Sequence, residues 1–169
     1  QPLLDDAKRQ LHDEADYLKE AEFLQAFGRL LRKDKRFALP EVLPALTHRN
    51  VLAMTYVSGG PIDTLIDLPQ VERDRIMSAL IELMLLEFFE LRMVQTDPNF
   101  ANYQYRRNTG EIVLLDFGAT RRFKAAFVNN YKKLVRAALA GDDAKLIASA
   151  ERLGYALVDT DSAYQALVL

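Results

Sequence analysis

An α+β fold, mostly helical, is what this sequence predicts, and three observations carry the prediction. Leucines recur every seven positions at Leu4, Leu11 and Leu18, the spacing of one face of a long amphipathic helix. Val51-Leu52-Ala53-Met54-Thr55-Tyr56-Val57 is a β-prone run closed by Ser58-Gly59-Gly60-Pro61, a strand followed by a turn. Gln70 to Val94 is apolar nearly all round in its second half, as a core helix is.

Taken in order, the first helix is expected over Asp5 to Lys33, with Ala7, Ala21, Leu24, Phe27 and Leu31 widening its stripe. Asp5 and Asp6 suit its positive end, Arg32 and Lys33 its negative end. Pro40 and Pro44 frame a short extended stretch before the strand, and the turn at Ser58 to Pro61 reads as a hinge between a small first part and a helical second part. In the Gln70 to Val94 helix, Arg73, Asp74, Arg75, Glu82, Glu87, Glu90 and Arg92 interrupt the apolar run too often for a membrane span. Tyr103 to Tyr105 and Ile112 to Leu115 flank Arg106-Arg107-Asn108-Thr109-Gly110 as a hairpin. Helices follow from about Ala125 to Ala140 and from Asp143 to Leu153, with Gly141 and Gly154 as stop signals.

The 169 residues are 50% hydrophobic and 27% charged, enough apolar content to build one core and enough charge to solubilise it. A formal net charge of −2 gives no global field that would favour nucleic acid. With no Cys, disulfides, thiolate zinc sites and a Cys nucleophile are excluded for this chain.

The chemistry concentrates in two segments. Gln95-Thr96-Asp97-Pro98-Asn99-Phe100-Ala101-Asn102 sets Asp97 and Asn102 five positions apart, and Leu114-Leu115-Asp116-Phe117-Gly118 ends an apolar strand on an Asp. Taken singly, each is an ordinary turn sequence. Their order is that of a protein kinase's C-terminal lobe: helix, Asp-to-Asn segment, hairpin, then Asp-Phe-Gly. Phosphoryl transfer requires such a set, with one carboxylate orienting the acceptor while an Asn and a second Asp hold Mg²⁺ against the nucleotide phosphates. On this reading Asp97 orients the acceptor, Asn102 and Asp116 bind Mg²⁺, Phe117 packs beneath the site and Gly118 allows a sharp turn after the ligand.

Asp13, Asp16 and Glu20 are spaced to share a helical face, as a solvated acidic stripe or around a facing cation. His12 and His48 have no second ligand at metal spacing and read as surface or structural. Phe88, Phe89, Phe100, Tyr103 and Tyr105 sit where core packing explains them. Arg121-Arg122-Phe123-Lys124 is followed almost at once by a helix, leaving little room for a peptide-docking activation segment. A small or lipid-like acceptor, or ATP hydrolysis coupled to another process, therefore fits better than a protein substrate. The basic cluster suits phosphate or anionic headgroups and equally a solvated loop.

Glu14-Ala15-Asp16-Tyr17-Leu18-Lys19-Glu20-Ala21, Val51 to Asp63, Gln95 to Asn102 and Leu114 to Arg122 together resemble the UbiB (ADCK) family of atypical kinase-like proteins linked to coenzyme Q biosynthesis. The resemblance runs from about Leu11 to near the end, and the Gln-Thr-Asp-Pro-Asn-Phe-Ala-Asn string is its most specific part. It implies a kinase-like fold, with residues 1–57 a remnant of the small lobe and 58–169 the helical lobe. It implies Asp97 as the catalytic carboxylate and Asn102 and Asp116 as metal ligands. Glu20 is the implied partner of a nucleotide-binding lysine and, with Tyr56, Val57 and Ser58 at the hinge, makes up the cofactor-binding set. Glu14 and Asp16 match the family's Glu-x-Asp motif, which faces its N-terminal extension.

The cofactors implied are Mg²⁺ and ATP. The partners implied are nucleotide, lipid or quinone-pathway proteins and a membrane surface. The location implied is mitochondrial, or membrane-associated in bacteria or plastids. The family's Lys-x-Gly-Gln motif, Ala-rich nucleotide loop and phosphate-binding lysine are absent from these residues. The expectation is therefore an internal fragment that is itself inactive and binds nucleotide weakly or not at all. Two rival readings stand beside it: a catalytically silent scaffold or lipid-binding regulator of the same fold, and a small-molecule kinase of the antibiotic-phosphorylating type.

Overall fold

The computed structural model describes residues 16–155. Helix α1 spans Tyr17–Leu31 and turns Ala21, Leu24, Phe27 and Leu31 into the core. It begins one residue after Asp16, whose carboxylate accepts the Leu18 N–H at 3.2 Å as an N-cap. The expected uninterrupted helix from Asp5 is thus broken at Asp16, and its part before that residue lies outside the described residues. Leu18 falls in the first turn and is 46% exposed, so the sevenfold leucine recurrence does not mark the buried face. A charged turn follows, in which Asp34 takes the Arg36 guanidinium in two parallel bonds.

The expected strand at Val51 to Val57 does not form. Val51 and Met54 make isolated bridges to His48 and Val42, and the segment otherwise runs extended without a continuous partner. The turn signal beside it is itself a short strand. β1 (Phe37–Ala38), β2 (Gly60–Pro61), β4 (Tyr103–Arg106) and β5 (Glu111–Leu114) form one sheet in the order β1-β5-β4-β2. β4 and β5 are the expected antiparallel hairpin, β1 joins β5 in parallel at Phe37 and Ile112, and β2 joins β4 at Gly60 and Tyr105. This sheet takes strands from both sides of the 57/58 boundary. Residues on both sides also share one core, including Leu24, Phe27, Ile76, Leu83, Ile112 and Phe117.

Helix α2 (Gln70–Leu86) buries Ile76, Ala79 and Leu83 on one face. Met77, Ile81, Met84 and Leu85 on its other faces are 44–54% exposed, so among the described residues it is a one-sided helix and not one buried all round. It also ends earlier than its apolar run. Glu87–Leu91 widen into a π-turn, Arg92 closes that turn in the left-handed region at φ 54°, and Met93–Gln95 leave as β3. β3 pairs antiparallel with β6 (Thr120–Arg122).

Helices α3 (Ala125–Ala140) and α4 (Asp143–Arg152) lie where expected, with Gly141 and Gly154 at positive φ after them. Phe88, Phe123, Phe127 and Tyr131 form an aromatic cluster that fixes α3 to the π-turn. Phe100 is 51% exposed, contrary to its expected core position, because it tips the short loop before β4. No helix among the described residues is long and apolar enough to cross a membrane.

Candidate active site

Three loops meet where the two segments of interest leave the sheets. After β3 the chain passes through Asp97 into a single 3₁₀ turn, Phe100–Asn102, capped by Asn99, whose side chain accepts the Ala101 N–H at 3.0 Å. Asn102 Nδ2 donates to Asp97 Oδ2 at 3.1 Å and to the Asp97 carbonyl at 3.2 Å. The five-residue spacing therefore closes into a side-chain contact. Donation through Nδ2 turns Asn102 Oδ1 the other way, and no hydrogen bond among the described residues engages it. The Asn102 carbonyl accepts the Leu115 N–H at 3.1 Å, which ties this loop to the residue before Asp116.

Asp116 Oδ1 accepts the Gly118 N–H at 2.9 Å. From α1, Glu20 reaches the same turn and accepts the Phe117 N–H at 3.4 Å. Phe117 packs beneath, 2% exposed, with its ring 4.9 Å from that of Phe27. The role expected for Gly118 needs correction, because its φ is not positive. A Cβ there would sit 3.4 Å from Asp116 Oδ1 and 3.5 Å from Glu20 Oε2. The glycine leaves open the space between two carboxylates and is not needed for the turn.

That space is electrostatically incomplete. Burial first, and the charge of Asp116 second, push the Glu20 carboxyl above its ordinary range, while the Phe117 N–H only partly offsets them. Among the described residues no cation pairs with Glu20. Oxygen donors from Asp116 and Asn102, beside a second carboxylate that lacks a counter-charge, fit a hard divalent cation that completes its shell with phosphate and water. No group of three or more His, Cys, Asp or Glu side chains suited to a metal occurs among the described residues, so an all-protein cage is not what the geometry offers.

The acidic stripe expected on the first helix is not formed as such. Asp16 caps the helix and lies 3.9 Å from Arg49 Nε, Glu20 points inward, and Asp13 lies outside the described residues. Glu14 of the Glu-x-Asp pair also lies outside them. At the hinge, Tyr56 is 91% exposed and Ser58 is exposed, its carbonyl accepting from Arg106 Nε at 2.9 Å. Val57 is half-buried, and among the described residues no hydrogen bond or ion pair joins Tyr56, Val57 or Ser58 to Glu20, Asp97 or Asp116. His48 is exposed and His12 lies outside the described residues. In the basic cluster, the Arg122 guanidinium lies 5.4 Å from the Phe23 ring centroid, a packing contact with α1.

Two side chains to which the sequence assigned no role belong to this site. Gln95 accepts the Asp97 N–H through Oε1 and faces the Asp116 carbonyl through Nε2 at 3.5 Å, so it brackets both loops. Glu87, 6% exposed in the π-turn, accepts the Gln95 N–H at 3.1 Å. Gln95 was visible as the first residue of the specific string. For Glu87 the only signal was an acid within an apolar run.

A model of the ABC1 atypical kinase-like domain matches residues 1–150. The zebrafish (Danio rerio) protein named Atypical kinase COQ8B, mitochondrial, is 39% identical over 148 residues, covering 88% of this chain and 24% of that protein. Atypical kinase COQ8, mitochondrial, of Saccharomyces cerevisiae is 38% identical over 149 residues, covering 88% of this chain and 30% of the yeast protein. The chain spans between a fifth and a third of the length of such curated relatives. Among solved structures, a chain of the Rv3197–erythromycin complex from Mycobacterium tuberculosis superposes with a TM-score of 0.81 at 22% identity, covering 100% of this chain and 43% of that one, a likeness of fold.

Proposed function

The chain belongs to the ABC1 atypical kinase-like family, and from that premise we propose that it forms the metal-binding and acceptor-orienting part of a Mg²⁺-dependent ATPase or phosphotransferase serving coenzyme Q biosynthesis. The observation that carries the reading is the closed contact between Asp97 and Asn102, held one hydrogen bond away from the residue before Asp116. A scaffold has no physical need to keep two uncompensated carboxylates and an outward-turned amide in one cleft.

Asn102 Oδ1 and Asp116 would hold Mg²⁺, which when bound neutralises charge on the nucleotide phosphates. Asp97, exposed at the mouth, orients the hydroxyl or water that attacks and accepts its proton. Asn102 Nδ2 fixes the rotamer of Asp97, so the base and a metal ligand move as one body. Glu20 offers a buried carboxylate to the cationic group that grips the nucleotide. The few residues between Asp116 and α3 favour a small or lipid-like acceptor, or water, over a peptide. The relatives' names place them in mitochondria, and a mitochondrial, membrane-surface setting is part of the proposal. Lipid and quinone-pathway proteins are the partners it entails.

In the full-length protein, Asp116→Asn should lower Mg·ATP turnover about a hundredfold or more while leaving the melting temperature within a few degrees. Undiminished turnover by the variant would return the chain to the scaffold reading.

A further inference from the structure

We propose that Glu87 is a positioning residue for the Asp97 and Asp116 loops, acting through Gln95, and that its ionised form is the one that holds them in register. The inference rests on the function proposed above and adds to it a residue outside the family's named motifs.

Gln95 is the last residue of β3, and β3 is bonded across to β6. The next residue donates its N–H to the Ala119 carbonyl on that side, at 3.3 Å, and the Thr96 hydroxyl reinforces it at 2.7 Å. Alternation along the strand turns the Gln95 N–H to the opposite side, where the ladder offers no acceptor. Glu87 Oε2 supplies one at 3.1 Å. With its backbone anchored there, Gln95 extends its amide between the two loops, taking the Asp97 N–H on one side and facing the Asp116 carbonyl on the other. Three elements therefore converge on one neutral side chain, and one buried acid fixes where that side chain starts. The π-turn places the acid: Glu87 opens it, and the Arg92 N–H returns to the Glu87 carbonyl to close it.

The chemistry of the residue argues against a purely structural cap. Glutamine would satisfy one amide N–H without the cost of burying an ionisable group. Burial pushes the Glu87 carboxyl up to about 7, against the opposing pull of the Gln95 N–H, so both protonation states are populated near neutrality. A carboxylate is the stronger acceptor. The titratable group that faces it from the adjoining β4 is Tyr103, whose hydroxyl is held neutral by burial and by the charges of Glu87 and Asp97. Among the described residues no cation pairs with Glu87.

The test uses full-length protein and four variants: Glu87→Gln, Glu87→Ala, Leu83→Ala as an equally buried control one turn away, and Asp116→Asn. Wild-type kcat for Mg·ATP turnover should rise as pH passes through the neutral range. Glu87→Gln, which mimics the uncharged carboxyl, should flatten that limb and hold kcat near the wild-type value on its acid side. Glu87→Ala should lower kcat about tenfold with little change in KM. In nucleotide-free protein, hydrogen exchange of the 93–102 peptide should quicken in Glu87→Ala more than in Leu83→Ala. A Glu87→Ala protein that matches Leu83→Ala in both the pH profile and peptide exchange would overturn the inference. Asp116→Asn separates the two claims: intact turnover in that variant sinks the metal-site reading, while the exchange comparison still decides whether Glu87 anchors the loops.

Discussion

Glu87 and Glu20 are the acids that burial drives away from their ordinary behaviour, and they give stability a measurable pH dependence. Both are raised above the unfolded carboxyl value, Glu87 to about 7. The folded state therefore binds more protons than the unfolded state between about pH 4.5 and 7. Their favourable contribution is complete below that window and is lost as pH climbs through it, by on the order of 3 kcal/mol for Glu87. The carboxyls held low by partners, such as Asp34 beside Arg36, titrate below this range and do not offset it. Melting temperature should thus fall between pH 5 and pH 8, and Glu87→Gln should remove most of that fall; calorimetry at the two values checks it.

At this scale the order and spacing of two segments singled out Asp97, Asn102 and Asp116, while the hydrogen bond between Asp97 and Asn102 is visible only in the structure. The resemblance implied Glu20 as the partner of a lysine, and its bond to the Phe117 N–H in the Asp116 turn went unforeseen, because no local pattern links residues so far apart. The duty of Glu87 was hidden, since an acid in an apolar run says only that the run does not span a membrane.

Among the elements, the hairpin and the last two helices were legible because their boundaries are chemical: an Asn-Thr-Gly turn between β-prone runs, and glycines where left-handed caps form. The Val51 to Val57 strand failed because its pairing with Glu41 to Leu43 stops after the bonds from the Leu43 and Thr55 N–H groups, both 2.8 Å, and no ladder continues it. Strand propensity describes fit to a pleated surface, and here Val42 and His48 offer only single bridges. The end of α2 failed for a different reason, since a π-turn keeps the apolar content of a helix while changing its path.

Arg92 bears the cost of that ending, as a side chain at φ 54°. Arg92→Gly should stabilise the protein by about 0.5–1 kcal/mol, and Arg92→Val should destabilise it by about 1–2 kcal/mol, as left-handed backbone favours glycine and penalises β-branching. Denaturant titration with an unchanged slope would bear this out, while equal midpoints for the two variants would refute it.

Across the whole molecule, the prediction of a mostly helical α+β fold holds, while the outer side of α2 departs from it. Val71, Met77, Ile81, Met84 and Leu85 are 44–81% exposed along it. Apolar area of that extent on one surface favours association. This chain in isolation should bind the dye ANS and show a mass that rises with concentration in light scattering. Ile81→Glu combined with Met84→Lys should reduce both effects without lowering the melting temperature, because neither side chain is in the core. A monodisperse monomer at high concentration would contradict this.

The sheet order β1-β5-β4-β2 has a mechanical consequence. The Arg36 carbonyl accepts the Ile112 N–H at 2.8 Å and its guanidinium donates to Glu82, so the segment just after α1 is riveted to both the hairpin and α2. Opening the cleft by swinging α1 away as a rigid arm would tear a strand from the sheet. Only smaller excursions of α1 leave these bonds intact, since at its N-terminal end the Arg49 carbonyl accepts the Tyr17 N–H at 3.1 Å. Such a joint resembles a latch more than a jaw, and its stiffness is set by a two-residue strand.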